Sequence, residues 1–174
     1  MEKNGGSAAR VTRTALVAAA YVTVTVVLTP FLSFNALQLR VSEILVLLCF
    51  YNKDYRVALT AGCVLANAFG PFGAIDAVVG GAATGLSVAL TARAGNVWLA
   101  SLPPVVFNSL FVGFELTYLL NGFEGAAPNA PFYVNALFVA AGELIVVTLV
   151  GAPLFGFVLS KNRVFMRIIG AKTP

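Results

Sequence analysis

Four of the seven acidic residues in this 174-residue chain, Glu43, Asp76, Glu115 and Glu143, lie within or beside long apolar runs. A charged side chain at the centre of a bilayer costs about 2.5–3.5 kcal/mol on insertion scales, so each of these carboxyl groups calls for a partner or a ligand. Asn67, Asn108 and Asn135 share the same runs and add amide donors and acceptors. Two runs echo each other, Asn108-Ser-Leu-Phe-Val-Gly-Phe-Glu115 and Asn135-Ala-Leu-Phe-Val-Ala-Ala-Gly-Glu143. A spacing of seven returns close to the same helix face, whereas a spacing of eight leaves the pair about 80° apart. Such a set suits a ligand that presents N–H groups or a cation, in one polar pocket opening outward and built mainly by Glu115 and Glu143. The competing account is hydrogen bonding that joins helices. For Asp76, which opens an apolar run after Gly73, the helix dipole is a sufficient reason.

A second polar patch is Asn35–Glu43, where Gln38, Arg40, Ser42 and Glu43 fall within six residues. Arg40 and Glu43 are three apart and can pair on one helix face. The patch reads as an outer loop and helix start covering the pocket, with Arg40 as a gate residue that pairs with Glu43 or with an acceptor group of the ligand.

The elements that must position these residues follow from composition. The chain is 59% hydrophobic and 10% charged, with mean hydropathy +0.90, whereas soluble domains carry about 25% charged residues. One all-α membrane domain over 1–174 is expected, with a polar tail over 1–13 and a basic tail over 160–174. Between them, helices are expected at about 14–32, 37–51, 56–69, 75–92, 97–120 and 131–159. The second is short: as an α-helix, Val41–Tyr51 covers only about 17 Å of a hydrocarbon core of about 30 Å. Pro103 and Pro104 place the clean start of the fifth helix near Pro103, and Pro153 predicts a kink in the sixth. Six spans put Arg40 alone on one side and the other ten of the eleven Lys and Arg residues on the opposite side. By the positive-inside rule both termini are then cytoplasmic. Trp98, Tyr51 and Tyr55 fall near the inner interface and Tyr118 and Tyr133 near the outer one, as an aromatic belt would.

Several function classes are disfavoured. The chain has no histidine, which removes His-based acid–base catalysis and His-ligated metals. Cys49 and Cys63 form no C-x-x-C pair and read as small buried apolar residues. No Walker A, G-x-S-x-G or H-E-x-x-H pattern occurs, so neither ATP hydrolysis nor another enzymatic activity is expected of this chain. The net charge of +4 is scattered through short loops and forms no nucleic-acid stripe.

Several motifs in order give a resemblance. Leu-Arg-Val-Ser-Glu43, Ala-Asn67-Ala-Phe-Gly-Pro-Phe-Gly-Ala-Ile-Asp76, Leu-Pro-Pro-Val-Val-Phe-Asn108, Gly113-Phe-Glu115 and Asn135 with Gly142-Glu143 resemble the queuosine-precursor transporter (QueT) family. The likeness runs from about Arg13 to Ser160. It implies the substrate-binding S-component of an energy-coupling factor (ECF) importer in a bacterial cytoplasmic membrane, with six helices and a pocket near the outer face. The implied partners are a transmembrane coupling protein and two cytoplasmic ATPases. No cofactor is expected, since ATP is used by those partners alone. The implied motion is toppling of the whole subunit. An Ala-x-x-x-Ala patch on the first helix of such subunits meets the coupling protein, and Ala15 and Ala19 match it. The implied substrate is a 7-deazaguanine base, on which Phe107, Phe111, Phe114 or Phe132 could stack at about 1–3 kcal/mol per contact. The alternatives are an S-component for another vitamin-type ligand and a stand-alone proton-coupled secondary transporter.

Overall fold

The computed structural model describes residues 3–34, 38–120 and 130–171, with side chains from Ser7 onward. Asn35, at the head of the polar patch, Leu37, the expected start of the second helix, and Lys172 of the basic tail lie outside the described residues. Within them every regular element is helical.

Helix α1 spans Lys3–Val22 and widens into π turns over Thr23–Leu28. It therefore runs through most of the stretch expected as a polar tail. No proline interrupts that stretch, and Ala8, Ala9 and Arg10 are good helix formers. The winding stops at Thr29 (φ −131°, ψ 40°), the residue before Pro30, where proline disfavours helical backbone. A single turn, α2 (Pro30–Ser33), follows.

The polar patch resumes at Gln38, whose φ of 45° lies in the left-handed region, an uncommon place for a residue with a Cβ. The Arg40 N–H closes back on the Gln38 carbonyl at 2.7 Å. Val41–Leu47 then winds as a 3₁₀ helix and passes into α3 (Leu48–Tyr51). Because the 3₁₀ rise is about 2.0 Å per residue, this run reaches about 20 Å rather than the 17 Å of an α-helix.

The remaining helices are α4 (Tyr55–Ala68), α5 (Ala74–Thr91), α6 (Val97–Ala100), α7 (Leu102–Phe114), α8 (Phe132–Glu143) and α9 (Arg163–Ile168). Gly73, at φ 60°, makes the turn into α5 that a residue with a Cβ would resist. Asn96 and Asn162 cap α6 and α9 through their side-chain oxygens. Both prolines fall in the first turn of α7, where their missing N–H groups cost nothing. Beyond Phe114 the chain continues in π turns over Glu115–Leu119. Beyond Glu143 it does so over Leu144–Gly151 and Leu154–Leu159, with Pro153 at the junction between the two.

Among the described residues, four stretches are long and apolar enough to cross a membrane: Ser7–Leu28, Ala74–Thr91, Val97–Leu119 and Phe132–Leu159. Val41–Tyr51 is apolar but shorter. Leu16, Val78, Leu110, Leu137 and Leu149 point outward, while Asp76, Thr84, Ser87, Asn108 and Asn135 are buried, the inverse of a water-soluble protein.

α4 packs on α1 and α5, α5 on α7, and α7 on α8, while the 3₁₀ segment lies against the π turns of Leu144–Gly151. Two glycines let helix backbones approach closely. A Cβ on Gly62 would come within 3.2 Å of the Ala18 carbonyl, and one on Gly113 within 2.9 Å of the Ala136 Cα. The buried apolar residues form two clusters: a larger one including Tyr21, Leu47, Leu59, Cys63, Val147 and Phe155, and a smaller one of Val112, Leu116, Leu120 and Val139. Along the last long helix, Val139 belongs to one cluster and Val147 to the other, with Glu143 about a turn from each.

The expected C-terminal tail is held in place. Asn52 Nδ2 donates to the Ile169 and Gly170 carbonyls at 3.0 Å each, and Tyr55 Oη to the Ile169 carbonyl at 3.0 Å. Tyr55 is thus buried and occupied with this contact, unlike Tyr118 and Tyr133, which are exposed as belt residues are.

Candidate functional site

The buried polar residues converge from five parts of the chain. Tyr21 comes from α1, Arg40 and Glu43 from the start of the 3₁₀ segment, Asp76 from the first turn of α5, Asn108 and Glu115 from α7 and its π end, and Glu143 from the end of α8. All are nearly inaccessible: Glu43 is 0%, Asp76 and Glu115 1%, Glu143 3% and Arg40 4% exposed.

Two linked groups make up the cluster. In the first, the Tyr21 hydroxyl donates to Glu43 Oε1, and Asn108 Nδ2 donates to Glu143 Oε1 at 2.7 Å. Asn108, Glu43 and Glu143 are neighbours in this group. In the second, Arg40 faces Asp76 at 3.9 Å and bonds to Gln38 Oε1 at 3.4 Å, with its guanidinium 5.9 Å from the centre of the Phe34 ring. Glu115 stands near enough to this pair to feel both charges. Arg40 also attracts Glu43, which joins the two groups.

Among the described residues four carboxyl groups thus gather around one guanidinium, with Asp76 alone at ion-pair distance. Glu43 Oε2, Asp76 Oδ2, both oxygens of Glu115 and Glu143 Oε2 have no hydrogen-bond partner among the described residues, and neither has Arg40 Nε. A buried carboxylate oxygen left bare is costly, so this arrangement is poised to accept N–H donors or positive charge from elsewhere. A base with several ring and exocyclic N–H groups has the matching chemistry.

The sequence-based expectations fare differently within this geometry. Glu115 and Glu143 do lie in the same cluster, but the amide that reaches across to Glu143 is Asn108. Asn135 turns the other way and donates to Thr117 Oγ at 3.0 Å. Arg40 does not pair with Glu43 at bonding distance: the 3₁₀ helix begins only at Val41, so the α-helical three-residue spacing does not operate there. Asp76 takes that partnership instead. Asn67 donates to the Asp76 backbone carbonyl at 3.0 Å, and the absence of a Cβ on Gly80 leaves room for it. Cys63 accepts from Thr84 at 3.2 Å. Phe107 and Phe111 are half-buried 6.4 Å apart, whereas Phe114 is exposed against Tyr118. Ala15 and Ala19 are both exposed, and Ala15 lines a groove with Ala18, Ala61, Gly85 and Ala89 that carries Arg10, Lys53 and Arg56.

Sequence reasoning missed Tyr21 and Thr25. A tyrosine inside an apolar run passes as a packing residue, and its partner lies 22 positions away.

The sequence model of the family described as QueT transporter matches residues 11–160. This chain belongs to the QueT transporter family. Every member of the cluster, from Tyr21 to Glu143, falls inside the matched QueT region. The Queuosine precursor transporter QueT of Lactococcus lactis subsp. cremoris (strain MG1363) is 45% identical over 73 residues, which is 40% of this chain and 41% of that protein. The match thus spans less than half the length of that QueT relative. No solved structure matches. Family and helices together make this a multi-pass membrane protein of the QueT type.

Proposed function

We propose that this chain is the substrate-binding S-component of an ECF-type importer and that it takes up a queuosine precursor, a 7-deazaguanine base. The observation that carries this reading is the set of unpartnered carboxylate oxygens on Glu43, Asp76, Glu115 and Glu143. A guanine-like edge offers ring and amino N–H donors to such oxygens, an aminomethyl substituent adds a cation, and Asn108 or Arg40 can meet the carbonyl. The substrate named for the Lactococcus lactis relative agrees with this chemistry.

On this reading the two shorter helical stretches, Val41–Tyr51 and Tyr55–Ala68, also cross, giving six spans with both termini cytoplasmic. A coupling protein docks against α1 at Ala15 and Ala19, two ATPases supply the energy, and the subunit topples to release its ligand inward. The chain itself performs no catalysis and carries no cofactor.

Binding to the purified protein, measured against a panel of 7-deazaguanines and common vitamins, tests the substrate. Tight binding of a deazaguanine is expected, and tight binding of a vitamin alone overturns it. Uptake in cells tests the class. Transport that requires ATPase partners and survives an uncoupler while ATP is maintained is expected, whereas transport abolished by the uncoupler makes the protein a proton-coupled carrier.

A further inference from the structure

We propose that Tyr21 is a positioning residue for ligand binding: by holding one oxygen of Glu43, it presents the other to the ligand. This rests on the acid cluster being the precursor site.

The backbone places Glu43 in the first turn of the 3₁₀ segment, its N–H bonded to the Arg40 carbonyl at 2.9 Å. Glu43 is the third residue of that segment, which begins at Val41, soon after the left-handed turn at Gln38. A side-chain hydrogen bond to it comes from α1. The Tyr21 hydroxyl donates to Glu43 Oε1, while Glu43 Oε2 is buried without a partner among the described residues. Tyr21 is itself 0% exposed and packed in the larger apolar cluster, beside the close crossing of α1 and α4 at Gly62.

One turn on, Thr25 makes a second tie. Its Oγ is 2.6 Å from Ser42 Oγ and donates to the Tyr21 carbonyl at 2.8 Å. A hydroxyl has one proton, so Ser42 is the donor to Thr25. Two successive turns of the first helix thus grip two consecutive residues, Ser42 and Glu43. A carboxylate immobilised before the ligand arrives loses less conformational freedom on binding, and the gain shows up as affinity.

The test is a double-mutant cycle on the purified full chain, read by calorimetric affinity for 7-aminomethyl-7-deazaguanine and by thermal unfolding without ligand. Tyr21→Phe is expected to weaken binding about tenfold or more, the scale of one hydrogen bond to a charged group. It also strands buried Glu43 Oε1, so the unfolding temperature of the free protein should fall by a few degrees, and this fall should vanish in the Glu43→Ala background. In a Glu43→Ala background the same substitution should have less than about a twofold further effect, since the group it positions is gone. Wild-type affinity in Tyr21→Phe overturns the proposal, and so does an undiminished loss in the Glu43→Ala background, which would assign the effect to packing. If Tyr21→Phe does not fold, Ser42→Ala takes its place in the cycle, and full affinity in that variant overturns the proposal equally. A wild-type protein that does not bind the probe removes the site reading and this inference together, whereas normal binding by both wild type and Tyr21→Phe removes the role of Tyr21 alone.

Discussion

Glu115 keeps both carboxylate oxygens bare in a buried position, and Glu143 keeps one. Replacing either by glutamine keeps the side chain's size and turns one acceptor oxygen into an amide donor. Each substitution is therefore expected to lower ligand affinity at least about tenfold while leaving the free protein as stable as wild type or more so. Titration calorimetry and thermal unfolding on the same samples check both halves, and unchanged affinity in both variants removes these residues from the site. Asn108 behaves in the opposite way. Asn108→Leu strands Glu143 Oε1 and should cost about 1–3 kcal/mol of stability in chemical unfolding. Among the described residues, Arg40 is the one positive group paired with Asp76. Arg40→Met should cost about 3–5 kcal/mol by leaving a buried charge unpaired. Asp76→Asn in the same chain should recover part of the loss, and no recovery would show that Arg40 acts through other contacts.

At the level of elements, the windings depart from the α-helix where the acids sit. The 3₁₀ segment carries Ser42 and Glu43, one π segment opens on Glu115, and another opens on the residue after Glu143. Such departures are frequent at functional sites. None of this was legible in the sequence, because an apolar run of Leu and Val accepts either winding and the choice is made by neighbours. What was legible is the presence of the acids, since a carboxylate in an apolar run stands out whatever its partner. The partners were not: hydrogen bonds such as Tyr21 to Glu43 and Asn108 to Glu143 join positions 22 and 35 residues apart. The helical start near Pro103 was readable because proline acts locally. The α7–α8 crossing depends on Gly113, and Gly113→Val forces the new side chain into the Ala136 backbone. A loss of about 1–3 kcal/mol is expected in unfolding measurements, by analogy with overpacked cores.

For the whole molecule, the division between a buried polar cluster and an exposed small-residue face on α1 separates two kinds of defect. Ala15→Leu or Ala19→Leu adds bulk to an exposed surface and should leave ligand affinity unchanged while reducing uptake severalfold in cells. Normal uptake by both variants would remove α1 from the docking surface. The stretch beyond Ser160 looks expendable by composition, yet Ile169 is 5% exposed and packs into the larger apolar cluster. Its carbonyl receives donors from Asn52 and Tyr55, and the neighbouring Ile168 carbonyl faces Arg13 at 3.5 Å. The last described residues thus close the bundle against its first helix and the turn before α4. Shortening the polypeptide to Ser160 therefore resembles a core deletion, and a lower yield of folded protein is the expected cost of trimming what reads as a tail.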